Sequence, residues 1–310
     1  MQETPRLLRE AVRGLPRAQL LWTPAPGAWS ILEILCHMRD MERDAYLARY
    51  RALLGGRRPL FRNIDPDARA AEGDYRSQRV SEVMRDWQRL RRETLQLLRG
   101  IDAASWGLEG AHETDGPLDV QTLLEHQARG NDRVHLRQIE RNKERHSVLT
   151  RLAAAPLEVE AVLRAVPEDC WRQRSGSARW SILEHLGHLS DFEYLMVERY
   201  SRMANFERPR LRSFDPDATA ARRRYRDRDP RALVREFRRL RAATLELLHA
   251  LGHQAWRRQG IHPARGEVRI EDMVAHHLDH DAKHVSRMRS LAEELHSPPP
   301  VRGSMEGAPR

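Results

Sequence analysis

Cysteine is nearly missing from this chain. Only Cys36 and Cys170 occur in 310 residues, far apart, and they form neither a disulfide framework nor a cysteine-based zinc site. A reducing cytoplasm is the expected compartment. Met1 to Arg9 lack the apolar stretch of a secretory signal, and no window approaches the roughly 20 apolar residues that cross a bilayer. Secretion and membrane spanning are both disfavoured. Lysine is scarce as well: of 54 Lys+Arg, only Lys143 and Lys283 are lysines, against 45 Asp+Glu, for a net charge of +9. A GC-rich coding sequence, which favours arginine codons, would account for that skew, yet it also raises nucleic acid or an anionic small molecule as partner. No aromatic interleaving or known module supports nucleic acid. The sequence also lacks any sustained period-2 alternation, which argues against strands.

What is present is a duplication. Trp29-Ser30-Ile31-Leu32-Glu33 with His37 returns as Trp180-Ser181-Ile182-Leu183-Glu184 with His188. Asp65-Pro66-Asp67-Ala68 returns as Asp215-Pro216-Asp217-Ala218, and Trp106 and His112 return as Trp256 and His262. The offset stays between 149 and 151 positions along the whole length. Such a register indicates two copies of a complete domain rather than short solenoid units. The expected domains are 1–150 and 151–296, joined near Arg145 to Pro156, with a disordered Pro- and Gly-rich tail at 297–310.

Within each copy the hydrophobic period is helical. Leu7, Leu8, Val12 and Leu15 form a stripe behind Thr4-Pro5, an expected N-cap with proline in the first turn. Ser30 with Glu33, and Ser181 with Glu184, read as capping boxes opening the second helix. A loop of about 25 residues follows, longer than an inert connection usually is. The third helix is expected near Ser81 to Arg99 and from Asp229-Pro230 to His249. After a polar stretch (Gly107 to Pro117; Arg257 to Gly266), the fourth is expected near Asp119 to Arg145 and Ile270 to Leu295. The fold class is therefore all-α: two tandem four-helix bundles.

Histidines four apart share a helix face and can close on one metal ion. His276, His280 and His284 form such a stripe, and His188 lies on a different helix of the same bundle. Three neutral imidazoles leave an open coordination position, suited to activating water or a thiol.

These residues, Trp-Ser-Ile-Leu-Glu followed by His on the second helix and His280-Asp281 with His284 on the last, resemble the DinB-like or YfiT-like four-helix bundles over nearly all of both halves. The resemblance implies a divalent metal, zinc or nickel, held by His188, His280 and His284. It also implies a thiol-dependent transferase or a hydrolase acting on a small electrophile, with a low-molecular-weight thiol as co-substrate; no catalytic residue can be assigned. Members of this family pair through their bundles, so a fused duplicate is expected to be a monomer with an intrachain pseudo-dimer. The competing functions are a non-catalytic metal-binding or stress-response protein and an arginine-rich nucleic-acid-associated protein.

The first copy departs from the pattern. His37 and His135 remain, but aligning Asp132 on Asp281 places Asn131 where the second copy has His280, and an amide is a poor zinc ligand. His126 lies on the opposite side of its helix from His135. The first site is therefore expected to be degenerate. Glu184, Asp281 and His276 are candidates to support the second, although the cap already explains Glu184 and a structural role suits Asp281. The tryptophans read as core or staple residues. The arginine clusters at 222–228 and 238–241 read as a solvated surface or, alternatively, as an anion-attracting entrance.

Overall fold

The computed structural model describes residues 1–175 and 180–296; the tail expected to be disordered lies outside the described residues. The chain divides into two compact units, Met1–His146 and Ser147–Arg310, each built as a helical bundle.

In the first unit, helices α1 (Thr4–Val12) and α2 (Arg17–Leu21) precede α3 (Ile31–Asp40), which continues through a π-helical segment, Met41–Leu47, into α4 (Ala48–Leu54). Then come strand β1 (Leu60–Phe61), α5 (Pro66–Glu72) and the long α6 (Val80–Arg99). A hairpin of β2 (Glu109–His112) and β3 (Gly116–Asp119) leads into α7 (Val120–Glu125), a second π-helical segment, His126–Asp132, and α8 (Arg133–Arg164). The second unit contains the end of α8, then α9 (Ile182–Asn205), α10 (Pro216–Arg223) and α11 (Pro230–Ala250). It ends with a hairpin of β4 (Gln259–His262) and β5 (Gly266–Arg269) and with α12 (Ile270–His296).

Local chemistry sets many of these boundaries. Both capping boxes form: Ser30 and Ser181 accept from the amides of Glu33 and Glu184, whose carboxylates return to the serine amides. At the first helix the expected cap does not form. Glu3 stands at the N-cap position without a side-chain cap hydrogen bond, and the Thr4 hydroxyl donates to Asp132 at 2.8 Å instead. The long loop is largely structured, because Asp65 and Asp215 each accept two backbone amides at the start of a short helix. The polar stretches ahead of the fourth helices fold as hairpins, although the lack of period-2 alternation argued against strands. Gly116 and Gly266 adopt positive φ at their turns, a conformation glycine reaches without a Cβ penalty.

The join expected near Arg145 to Pro156 is helical, since α8 runs through it. Ala155, Val159, Val162 and Leu163 bury against Leu183, Leu186, Phe237 and Met288 of the second unit. That burial holds the helix through Pro156 despite the backbone hydrogen bond the proline removes. In the first unit Leu8, Leu32, Leu35, Met38, Trp87 and Ile139 play the same role.

The π-helical segments explain why the repeat offset drifts. Glu42 and Glu193 are 151 positions apart, but Tyr50 and Tyr200 are 150 apart; Gln127 and His277 are 150 apart, but Asp132 and Asp281 are 149 apart. The first copy thus carries one extra residue in each interval, and each interval contains a π-helical segment. A widened i to i+5 turn accommodates an extra residue without rotating the remainder of the helix.

Candidate metal centre

Helices α9 and α12 bring His188, His280 and His284 together. Their donor atoms lie within 4.8 Å of one another. His188 and His280 meet at 2.9 Å between their Nε2 atoms, one ring donating and the other accepting. The ring centroids of His188 and His284 are 4.5 Å apart, and those of His280 and His284 4.4 Å. Phe192, one turn beyond His188, stacks on His280 at 3.6 Å and 14°, while Trp180 lies 4.8 Å from His188 and stacks on His284. Trp180 therefore walls the site; Trp256, by contrast, is buried.

Burial pushes His188 down to about 4, and burial together with the neighbouring imidazoles pushes His280 and His284 further below the ordinary range. The rings are thus neutral at pH 7 and keep the lone pairs a metal requires. His188 Nδ1 and His280 Nδ1 are buried without a hydrogen-bond partner. The three rings line a cavity of about 1100 Å³ shared with Trp180, Phe192 and Phe214.

The neighbouring candidates separate. Glu184 is engaged by its cap and by Arg174 at 3.0 Å. Its carboxylate falls below the usual range because Arg174 and Ser181 outweigh burial. Asp281 accepts from Arg241 at 2.7 Å. His276 contacts Arg265 at 3.0 Å, with its ring 6.3 Å from that of His280. His185, given no role in the triad from sequence, places Nδ1 2.9 Å from Nδ1 of His284. The available signal was its position three residues before His188, which shares a helix face.

A second cluster, Glu193, His277 and Asp281, is wholly buried. Arg241 fills it: Nε donates to Glu193 at 2.6 Å and Nη2 to Asp281 at 2.7 Å. His277 lies 2.6 Å from Glu193, and Thr244 donates to the same carboxylate at 2.5 Å. The first unit repeats this network. Arg91 binds Glu42 and Asp132, Thr94 donates to Glu42, and Gln127 takes the place of His277. Because the network persists with a glutamine and a guanidinium at its centre, it is a packing device in both halves.

The first unit has no third imidazole beside His37 and His135, whose rings are 4.8 Å apart. Asn131 is buried in the π-helical segment, its amide 3.4 Å from Asp132. Among the described residues, both groups of three metal-capable side chains belong to the second unit.

The arginine clusters are largely neutralised. Arg223 pairs with Asp191 and Glu236, Arg224 with Asp227, Arg228 with Glu236, and Arg238 with Glu160. No helix among the described residues is long and apolar enough to cross a membrane.

Two copies of one helical bundle, one of them with three converging imidazoles, define the class. The DinB superfamily model matches residues 1–139 and again 151–288, so the chain belongs to the DinB superfamily and carries its domain twice. Among solved structures it is similar to YfiT from Bacillus subtilis, described as a probable metal-dependent hydrolase with an unusual four-helix bundle topology. That similarity has a TM-score of 0.46 and 17% identity over 48% of this chain and 86% of that one. No curated protein matches the chain.

Proposed function

We propose that the second unit holds one divalent cation, zinc or nickel, through His188, His280 and His284, and that the cavity above it serves a hydrolase or a thiol-dependent transferase acting on a small electrophile. The observation that carries this reading is the convergence of three neutral imidazoles within 4.8 Å in the wall of a cavity of about 1100 Å³. The donor set fits: three nitrogen ligands leave a tetrahedral ion one open position. A bound divalent cation supplies Lewis-acid activation of water or of a thiol there.

The chain's own residues prepare the site. Phe192 and Trp180 fix the imidazole planes and keep bulk water off them, and His185 fixes His284 through their 2.9 Å contact. The volume exceeds what one small electrophile needs, which favours a second reactant, such as a low-molecular-weight thiol, sharing the cavity. The first unit, with Asn131 in place of the third imidazole, contributes structure and no cation.

Elemental analysis of the purified protein beside His280→Ala tests this. One equivalent per chain, lost in the variant, is expected. Two equivalents, or an unchanged content in the variant, overturns the asymmetric site.

A further inference from the structure

The same cavity is lined by three arginines, Arg199, Arg265 and Arg287. None has an ion-pair partner among the described residues, whereas the arginine clusters that stand out in the sequence are largely paired. Two carboxylates, Asp217 and Glu294, also line the cavity.

The repeat shows what changed at this wall. Arg199 corresponds to Arg49, and each spends one nitrogen on a backbone carbonyl, Arg212 at 2.7 Å and Arg62 at 2.9 Å. His262 corresponds to His112, on the hairpin strand. In the first unit the hairpin turn supplies Asp115, whose carboxylate lies 3.3 Å from His112 and whose charge acts on Arg49. At the matching position of the second unit stands Arg265. A compensating acid has become a second cation, and the change occurs in the half that has the three imidazoles.

The guanidinium of Arg199 is built into this wall. The residue is 3% exposed, and its Nε is buried with no hydrogen-bond partner. Burial lowers its pKa, and the cations Arg212 and Arg265 lower it further against Glu198. Arg265 is fixed from the hairpin turn by its 3.0 Å contact with His276. An unpaired donor in the interior is costly, and two guanidiniums near one another with no ion pair among the described residues are costlier. A ligand oxyanion relieves both, because guanidinium donors match carboxylate and phosphate oxygens in geometry and charge.

We propose that Arg199 and Arg265, with His262 and His276 beside them, form an oxyanion subsite that holds a carboxylate or phosphate group of the substrate. The substrate class is thus a small electrophile carrying an anionic group. Calling that ligand the substrate rests on the hydrolase or transferase reading of the metal centre; the binding of an anion does not.

Isothermal titration of the full-length, chelator-treated protein with inorganic phosphate, and separately with succinate, tests the subsite without the cation. Saturable binding of at least one anion is expected. It should weaken at least about tenfold in Arg265→Asp, which recreates the arrangement of the first unit, as expected for losing a charge-assisted contact. Arg265→Lys should retain part of it, and His280→Ala should retain it fully. Absence of saturable binding for both anions, or equal binding by wild type and Arg265→Asp, overturns the subsite. Arg265 is exposed on a hairpin turn, and its counterpart Asp115 occupies the same turn in the first unit, so the variant is expected to fold. Circular dichroism checks that it does. If His280→Ala keeps its metal while Arg265→Asp loses the anion, the cation assignment fails and the subsite stands.

Discussion

At the scale of single residues, the two copies differ where charge and coordination chemistry are decided. Asn131 against His280 separates an amide from an imidazole, and Asp115 against Arg265 reverses a charge. The first difference is visible once the copies are aligned. The second gains meaning only when Arg265 is seen beside Arg199 and His276, because nothing in linear order sets Arg265 apart from the other arginines. His37 offers a residue-scale test of burial. Burial, then the neighbouring His135, pushes it down from 6.5 to about 4. A histidine whose folded pKa is depressed binds its proton more readily in the unfolded chain, so stability falls as pH drops from about 6.5 towards 4. Urea unfolding at pH 7 and pH 5 should show His37→Gln losing about 1–2 kcal/mol less than wild type over that interval. Equal losses in the two proteins would show that folding does not depress the pKa of His37.

At the scale of elements, sequence periodicity located the long helices α6, α11 and α12 to within a few residues, since their buried faces repeat at helical spacing, but it stopped the helix of the join near Arg145, whereas α8 continues to Arg164. It missed the hairpins, whose four-residue strands are too short to display alternation and are held by cross-strand pairs and a glycine turn. It also missed the π-helical segments. An inserted residue is silent in a single copy and shows only as a step in the repeat offset. That step can be tested by deletion. With Glu42 laid on Glu193 and Tyr50 on Tyr200, the extra residue falls between positions 43 and 49, and Arg43, whose side chain is 46% exposed, is among those whose removal disturbs the core least. Deleting Arg43 should convert the segment to α-helix, as in the uninterrupted α9, keep the helical circular dichroism, and cost no more than about 2 kcal/mol. Deleting one residue from the middle of α6 should instead rotate everything beyond it by about 100° and unfold the first unit. Thermal melts of the two deletions compare them directly, and equal damage would refute the insertion reading.

A Cβ at Gly187 of α9 would collide with the ring of Tyr225, and Tyr225 is buried and donates to Asp191 at 2.6 Å. The first unit has Cys36 at that place and still seats Tyr75 on Asp40 at 2.7 Å. The same tyrosine lock therefore forms over two different helix surfaces, a glycine in one unit and a cysteine in the other.

For the whole molecule, cation binding by one unit should appear as a ligand effect on that unit's stability. A cation that binds only the folded state stabilises it by about 3–4 kcal/mol at a hundred to a thousand times its dissociation constant. Chelation should therefore lower a melting transition of the wild type and leave His280→Ala unmoved in differential scanning calorimetry. A chelator response of equal size in the variant would place the cation elsewhere.

The duplication, the bundle class and the histidine stripe of the last helix were legible in linear order, because a repeat and a helical period are one-dimensional patterns. Packing decided which imidazoles meet. His188, His280 and His284 converge, His185 braces them, and His277 turns into a buried arginine network, although His276 and His277 are neighbours in the chain. Adjacent helical residues point about 100° apart, so only the seating of α12 against α9 could assign one to the cavity and the other to the core. The same seating leaves Arg199 and Arg265 without an ion-pair partner among the described residues while the conspicuous arginine runs largely find theirs, because charge compensation depends on distance through space and not on spacing along the chain.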